Sequence, residues 1–476
     1  MKRLADLHSP FPYILITLPI VLWGVTMIYP SYDDWMTLSY PNFDRDWVKY
    51  FLVYGSVWRP FDAFMGYVSG IDVRLFPLLN HLLVVFGHLG NALIVCKICS
   101  RIGFGQTANY AATVFFYLSP CVLGTVLSCD SINQTYSQLW GLLSLWCFLS
   151  MRGRARYAVW AVCVFVAALA KENGLAWAMV PPVMAWTFSR ADRRTFWQLV
   201  AVGMAVSLAY AAIRLSLPSY GLPGKEYSTF VPAKKLRDIA ILIAYTWVPA
   251  DYICLVHTPS RNLWLFALSV VPAIPFILMM TIGLGREWTR RKMLGLTACF
   301  VIVMSPNLLI NLSVMNAYAG LGIAALMVAY AAQRTPRRYI VPVFALYLVS
   351  AVPVDLHHWY MSWKTSVVGR DMARYVIKKT PVPVRSVCSI TVKSDEKKFS
   401  SFCVLPEDAF DGGQAVIHET GCSWPENIKN IQIGKSEKKN IPAMAKKALD
   451  SGLYDCVWVT EDTDVKIFYP EKRKRI

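Results

Sequence analysis

The stretch LWLFALSVVPAIPFILMMTIGL, residues 263–284, runs for 22 residues without a charge. A run of about 20 apolar residues is long enough to cross the hydrocarbon core of a bilayer as a helix. Arg286, Arg290, Arg291 and Lys292 follow it directly. Because basic residues collect at the cytoplasmic ends of membrane helices, this stretch predicts both an integral membrane protein and the direction in which it crosses.

The composition of the whole chain indicates the same class of protein. Of its 476 residues, 55% are hydrophobic and 16% are charged, and the mean hydropathy is +0.40. Soluble domains carry about 25% charged residues. A soluble enzyme, a disordered chain, a collagen-like chain and a small disulfide scaffold are therefore excluded.

Ten further apolar runs bring the prediction to eleven membrane-spanning helices. The predicted spans are residues 11–28, 75–96, 107–127, 135–149, 158–170, 175–188, 195–217, 263–284, 294–309, 317–332 and 340–354. Residues 239–256 are also apolar, but they contain Pro249 and Asp251, and one more span would break the alternation of sides. We expect this segment to enter the membrane region without crossing it, because irregular backbone is tolerated there when it lines a cavity in the protein.

The net charge of +18 follows this topology. Its basic clusters lie in short loops between apolar runs, at residues 2–3, 97–101, 152–156, 190–194, 286–292 and 334–338. With the N-terminus in the cytoplasm, every one of these clusters falls on the cytoplasmic side. The loop 31–74 and everything after about residue 355 then lie outside. The positive charge thus records membrane orientation, and no nucleic-acid partner is expected.

The end of the chain, residues 381–476, differs in kind from the rest. Residues 386–392, 415–418 and 454–460 are expected to be strands and residues 441–453 a helix. The sequence therefore predicts two domains: a transmembrane domain over residues 1–360 and a small extracytoplasmic α/β domain over residues 381–476.

Four cysteines lie in the predicted extracytoplasmic domain: Cys388, Cys403, Cys422 and Cys456. An even number of cysteines in an oxidising compartment permits one or two disulfides. The pairing is open, and free thiols are an equal alternative.

Ionisable and polar residues collect in the segments that the predicted topology places near the external surface. They are Asp33 and Asp34 after the first span, Arg59 in the loop 31–74, Asn80, His81 and His88 at the second span, Asp130 between the third and fourth, Lys171 and Glu172 between the fifth and sixth, and Asp251. Such residues are costly near a membrane and are candidates for function. Each also has a structural interpretation: solvated loop carboxylates, a Lys171–Glu172 ion pair, or two hydrogen-bonded histidines, which we prefer to metal ligation.

The order of these motifs resembles that of the GT-C membrane glycosyltransferases. Tyr32-Asp33-Asp34-Trp35 is followed by Trp58-Arg59-Pro60-Phe61, by Leu79-Asn80-His81 with His88 seven residues later, and by Ala170-Lys171-Glu172-Asn173-Gly174. The pattern is most similar to the protein O-mannosyltransferase branch, including the tetratricopeptide-containing transmembrane O-mannosyltransferases. Residues 247–252 also resemble a later element of that branch. Ser119-Pro120 stands where a His-Pro segment is expected, and no tetratricopeptide repeats follow.

The resemblance implies a GT-C fold and a reaction. A sugar would pass from a polyprenyl-phosphate donor to a hydroxyl of a protein, glycan or lipid acceptor on the external side of a bacterial inner membrane. Asp33 would be the base and Asp34 would orient it or the acceptor, while Arg59, Lys171 and His81 would bind the donor phosphate. Supporting roles fall to Glu172, Asn80, His88, Asp130 and Asp251. No metal or other cofactor is expected, because a lipid phosphate is already an activated leaving group; a divalent metal is compatible with this chemistry but not required.

Two other classes of function are consistent with the spans. A polytopic transporter or flippase for lipid-linked sugars would carry similar intramembrane charges, and it would be expected to show inverted repeats or paired broken helices. A non-enzymatic scaffold that displays the C-terminal domain would leave the gathered charges unexplained. Cleavage of a polyprenyl-phosphate sugar distinguishes the enzyme from both.

Overall fold

The computed structural model describes residues 11–31, 34–35, 51–54, 57–188, 192–220, 232–256, 262–285, 290–309, 313–380, 384–394 and 405–470. The predicted base Asp33 and the thiol of Cys403 lie outside these ranges. Cys388 and Cys422 are free thiols.

The described chain is mostly α-helical. The helices are α1 Phe11–Thr26, α2 Pro60–Gly70, α3 Leu78–Ile102, α4 Gln106–Leu118, α5 Leu123–Val126, α6 Ile132–Ser150, α7 Ala155–Ala170, α8 Val180–Phe188, α9 Arg193–Ser216, α10 Pro232–Trp247, α11 Ile253–Val256, α12 Leu263–Val270, α13 Ile274–Gly285, α14 Arg291–Met304, α15 Tyr318–Arg334, α16 Arg337–Lys379, α17 Pro406–Phe410, α18 Gln414–Glu419 and α19 Ile441–Asp450. The strands are β1 Val53–Tyr54, β2 Ser219–Tyr220, β3 Ser386–Lys393, β4 Asn427–Gly434, β5 Cys456–Glu461 and β6 Asp464–Phe468.

Local sequence explains where the long helices begin and end. The helix α3 ends at Gly103, whose φ of +89° is a left-handed conformation that glycine adopts without strain, and its N–H bonds back to the last turn. At the start of α9, the Asp192 side chain accepts a 3.0 Å hydrogen bond from the backbone N–H of Thr195. This is the usual N-cap, and it satisfies one of the donors that a helix start leaves unpaired.

Five of the described helices are long and apolar enough to cross a membrane. They are Leu78–Ile102, Arg193–Ser216, Leu263–Gly285, Val314–Arg334 and Arg337–Lys379, and the pair Gln106–Leu118 and Pro120–Val126, bent by 41°, makes six if it is one span. A described helix overlaps each predicted apolar interval. A mostly helical chain with several apolar helices is thus confirmed, while the number of eleven crossings stays a prediction.

The helices form a bundle around α15, whose side chains are almost all buried. By contrast, α9 has few buried residues, and Trp197, Leu208 and Leu215 are exposed on its surface. A helix that is apolar all round is suited to the core of the bundle or to lipid. The exposed apolar surface of α9 is therefore consistent with contact with lipid.

The segment 239–256 contains a break. The helix α10 ends at Trp247, the backbone is irregular through Pro249 and Asp251, and the short α11 follows. Tyr245 on α10 donates a 3.0 Å hydrogen bond to the carbonyl of Pro120, so α10 packs on the bend after α4. This break agrees with a segment that does not cross the membrane, which remains a prediction.

The C-terminal segment forms a four-stranded sheet in the order β4-β3-β5-β6. The strand β3 is parallel to both neighbours, and β6 is antiparallel to β5. The predicted strands at 386–392 and 454–460 and the predicted helix at 441–453 correspond to β3, β5 and α19. A small C-terminal sheet is therefore confirmed.

The prediction of a strand at 415–418 is wrong, since these residues lie in α18. A short apolar run does not by itself distinguish a strand from a buried helix. Here Gly412 and Gly413 precede the run with φ of +61° and +109°, and the chain turns before Ala415, Val416 and Ile417 are buried. The strand β4 was missed because most of its side chains are polar or exposed.

The C-terminal sheet is held to the membrane part by α16. This helix does not end near residue 354, as the apolar run predicts, but continues to Lys379. Its last turns place Met372, Ala373 and Val376 in one hydrophobic cluster with Trp458 of β5. Tyr29, Trp35 and Phe76, from the membrane part, belong to the same cluster. The C-terminal sheet thus packs directly against the segment that follows α1.

Candidate functional site

An ion pair joins the loop before α2 to the turn after α7. The Nε of Arg59 donates a 2.9 Å hydrogen bond to Oε2 of Glu172, and both side chains are about a quarter exposed, at 25% and 26%. Oε1 of Glu172 accepts a 3.1 Å hydrogen bond from the backbone N–H of Trp58. Both carboxylate oxygens therefore hold the Trp58-Arg59 segment, and the predicted proximity of Arg59 and Glu172 is seen in the structure.

Asp62 joins this group, although sequence reasoning missed it. It lies three residues after Arg59, on the first turn of α2, and accepts a 3.3 Å hydrogen bond from Nδ2 of Asn133. Burial raises the pKa of Asp62 to about 6, against the opposing effects of the Arg59 charge and the Asn133 hydrogen bond. The signal in the sequence was its helical spacing from Arg59, since residues three apart share a helix face.

Lys171 is the second cation of the group. Burial, followed by repulsion from Arg59, lowers the pKa of Lys171 to about 8, although Glu172, Asp130 and Asp62 attract its charge. Among the residues that the structure describes, its ammonium has no hydrogen-bonding or ion-pairing partner. Arg59, Asp62, Lys171 and Glu172 are called the charged cluster below.

Asp34 is tied to the turn that carries Asp130. Its side chain is 3% exposed. Oδ1 accepts hydrogen bonds from the hydroxyl of Ser128 at 2.9 Å and from the N–H of Asp130 at 2.8 Å, and Oδ2 accepts one from the N–H of Ser31 at 3.1 Å. Three bonds to a buried carboxylate are what an anchoring residue makes. Asp34 therefore fixes the chain directly after Asp33 to the 128–131 turn.

That turn also reaches the charged cluster. Nδ2 of Asn133 donates to the carbonyl of Asp130 at 3.0 Å as well as to Asp62. A continuous path of hydrogen bonds thus runs from Asp34 through Asp130 and Asn133 to Asp62. The structure brings together Asp34, Asp130, Arg59, Lys171 and Glu172 from the predicted set.

The two histidines of α3 are not part of this group. Nε2 of the fully buried His81 lies 3.1 Å from the carbonyl oxygen of Ile28. Nδ1 of His88 lies 3.0 Å from the Tyr318 hydroxyl, and Nε2 lies 3.2 Å from the carbonyl oxygen of Tyr117. Both are hydrogen-bonded histidines inside the bundle, and this placement does not support His81 as a ligand of the donor phosphate.

Two further predicted residues lie apart from the charged cluster. Asn80 is fully buried, and its side-chain amide has no hydrogen-bond partner in the described part of the chain. Asp251 contacts two histidines of α16: Oδ2 is hydrogen-bonded to Nδ1 of His357, and Oδ1 lies 3.5 Å from Nε2 of His358. Burial raises the pKa of Asp251, but the hydrogen bonds and charges of these two histidines lower it by more. The pKa of Asp251 therefore lies well below its usual range. Sequence reasoning missed both histidines.

No family model matches the chain, and no curated protein matches it in sequence. Among solved structures it is similar to the oligosaccharyltransferase of Archaeoglobus fulgidus in the apo form, with 12% identity over 87% of this chain and 64% of that chain and a TM-score of 0.43. It is also similar to ArnT from Cupriavidus metallidurans bound to undecaprenyl phosphate, with 12% identity, coverage of 97% and 98%, and a TM-score of 0.46. The chain spans less than two thirds of the oligosaccharyltransferase. Neither likeness is close enough to assign a family, so the activity has to be inferred from the residues of the site.

Proposed function

We propose that the chain is a membrane glycosyltransferase of the GT-C type, similar to the O-mannosyltransferases, that moves a sugar from a polyprenyl-phosphate donor to a hydroxyl acceptor. Residues 1–360 would form the catalytic domain, and residues 381–476 would lie in the periplasm. The observation that carries the proposal is the Lys171 ammonium, which lies beside Arg59 without a partner among the described residues.

A phosphate is the ligand that this pair of cations suits best. Two cations held close together repel each other, and burial makes an unpaired ammonium costly. An anion bound between them would relieve both effects and would restore the pKa of Lys171 toward its ordinary value. The phosphate of a lipid donor reaches the membrane surface at the level where the predicted topology places Lys171. We therefore assign the donor phosphate to Lys171 and Arg59.

The same cations would serve the chemical step. The acceptor hydroxyl loses its proton to a base, and its oxygen forms a bond to the anomeric carbon of the sugar. The bond from that carbon to the phosphate oxygen breaks, and the polyprenyl phosphate leaves with the electron pair. Negative charge thus grows on the phosphate, and positive groups stabilise it most in the transition state. No step of this reaction demands a metal.

Asp33 is proposed as the base. It is bonded directly to Asp34, which three hydrogen bonds fix to the 128–131 turn. Asp34 is thereby occupied as an anchor, so the unassigned carboxylate of the Tyr32-Asp33-Asp34-Trp35 motif is that of Asp33. An aspartate with an ordinary pKa of about 3.9 is ionised at neutral pH and can accept the proton.

The remaining residues receive supporting roles. Glu172 holds Arg59, and the backbone of Asp130 holds Asp34. Asp62 balances the charge of the two cations. Asn80, His81 and His88 are assigned to the packing of α3, and Asp251 to a separate group with His357 and His358 of α16.

The test is a transfer assay in lipid nanodiscs. Purified protein is given a polyprenyl-phosphate sugar with a labelled sugar, together with an extract of membrane and periplasmic acceptors. We expect the label to leave the lipid fraction and polyprenyl phosphate to appear in equal amount. Lys171→Met should slow this transfer by about 10²–10³-fold, and Lys171→Arg should retain more of it. No cleavage in nanodiscs, together with movement of intact donor across the membrane when the protein is placed in vesicles, would instead indicate a flippase and overturn the proposal.

A further inference from the structure

A second group of reactive side chains lies between α16 and the break after α10. One ligand atom each from Asp251, Cys254 and His357 lies within 4.8 Å of the other two. Asp251 and Cys254 are buried, and His357 is partly buried. A carboxylate, a thiol and an imidazole are three of the side chains that bind transition metals.

The backbone on both sides of this group is held independently of the three side chains. The N–H of Cys254 donates to the carbonyl of Asp251 at 3.1 Å, which closes the turn. The N–H of Asp251 donates to the hydroxyl of Ser269 at 2.9 Å, and the hydroxyl of Ser350 donates to the carbonyl of Pro249 at 2.9 Å. These hydrogen bonds fix the backbone from which Asp251 and Cys254 extend.

The helix α16 supplies its residues from one face. Ser350 and His357 are seven residues apart, which is two helical turns, and both contact the segment that contains Pro249 and Asp251. His358 lies beside the group, with Nε2 at 3.5 Å from Oδ1 of Asp251. In a tetrahedral zinc site with bonds of about 2.0–2.3 Å, neighbouring donor atoms are about 3.4 Å apart. The donor atoms of Asp251, Cys254 and His357 lie within 4.8 Å of one another, so small side-chain rotations are enough to bring them to this spacing.

We propose that Asp251, Cys254 and His357 bind a zinc-class divalent cation. On binding, the thiol releases its proton and the thiolate coordinates the metal. One carboxylate and one thiolate then balance the two positive charges of the ion, and the neutral site suits a buried position beside the membrane.

The proposed ion would have a structural task. It would fasten the non-helical segment after α10 to α16, and α16 continues into the C-terminal sheet. None of its ligands belongs to the charged cluster, so the metal site stands or falls independently of the proposed glycosyl transfer.

Cobalt(II) is the probe for this site. Full-length protein is purified, treated with a chelator and titrated with Co²⁺, because a cobalt–thiolate bond gives a charge-transfer absorption that oxygen and nitrogen ligands do not give. We expect one equivalent to bind with this absorption, Zn²⁺ to displace it, and Zn²⁺ to raise the melting temperature.

Two variants and one control decide the outcome. Cys254→Ser should abolish the charge-transfer absorption, and His357→Gln should weaken metal binding by about 10–100-fold. Cys299→Ser is the matched control, because Cys299 is also a buried free thiol but lies on α14. If Cys254→Ser misfolds, His357→Gln still tests the site. A wild-type protein without the absorption, or variants that bind Co²⁺ as the wild type does, would overturn the proposal.

Discussion

The sequence grouped the two histidines of α3 with residues of the charged cluster in one candidate site. In the structure, the polar atoms of the two regions differ in whether they have hydrogen-bond partners. Both ring nitrogens of His88 lie within hydrogen-bond distance of groups inside the bundle, and the ring is buried. Lys171 is only partly buried, and its ammonium has no partner in the described part of the chain. Satisfied polar groups hold helices together, whereas an unsatisfied cation at a partly open position has interactions left to make with a ligand.

The largest effect is expected for the base. Asp33→Asn keeps the size of the side chain but removes its ability to accept a proton, so transfer should fall by about 10²–10⁴-fold. Asp34→Asn should chiefly lower the melting temperature, because Asp34 anchors the loop to Ser128 and Asp130. The measurement is the transfer rate at saturating donor with a melt of each variant. Full activity in both variants would show that neither carboxylate of the motif takes part in catalysis.

Removal of either cation, Arg59 or Lys171, should cause the next largest loss of transfer rate. Arg59→Met or Lys171→Met keeps the apolar stem and removes the charge. Loss of one group that stabilises the departing phosphate should cost about 10²–10³-fold in transfer rate. Lys171→Arg is the control that keeps the charge. If both methionine variants transfer sugar at the wild-type rate while remaining folded, the donor phosphate binds elsewhere.

The histidine pair should behave in the opposite way. His88→Phe keeps a ring that can stack on Phe116 and Tyr117 but leaves the Tyr117 carbonyl without its partner. A lost buried hydrogen bond of this kind destabilises by about 1–3 kcal/mol. Thermal melts should record this loss, and the transfer rate per folded molecule should stay near the wild-type value. A folded His88→Phe protein without activity would place His88 in the site.

The smallest effect is a dependence of donor binding on pH. Because the pKa of Lys171 is lowered to about 8, its ammonium loses its proton as the pH rises above that value. A donor phosphodiester does not titrate in this range, so its affinity should fall by up to about tenfold per pH unit on the alkaline side. Lys171→Arg should remove this dependence. The same alkaline decline in Lys171→Arg would assign it to another group.

The sequence predicted which residues share one end of the helix bundle better than it predicted which helices become neighbours. The alternation of sides brought Arg59, Lys171 and Glu172 to one predicted surface, and the structure joins them. It did not separate His81 and His88 from them, because hydrogen bonding to Tyr117 or Tyr318 depends on which helices become neighbours. Contacts between distant segments, such as Asp251 with His357 across 106 residues, leave no periodic signal in the chain.

The C-terminal segment shows the same limit on a smaller scale. The buried strands β3 and β5 were predicted because continuous apolar runs mark them. The edge strand β4 has alternating and mostly polar residues, so only its pairing with β3 reveals it. The extension of α16 to Lys379 was also missed, since that part of the helix is held by its contacts with the sheet and not by an apolar pattern.

The most direct test of the charged cluster is a cryo-EM structure of the protein in nanodiscs with polyprenyl phosphate. The phosphate should lie within hydrogen-bond distance, about 2.7–3.2 Å, of both Nζ of Lys171 and the guanidinium of Arg59. The contacts of His88 with Tyr318 and Tyr117 should be unchanged. A phosphate bound by other cations, with Lys171 still without a partner, would contradict the account.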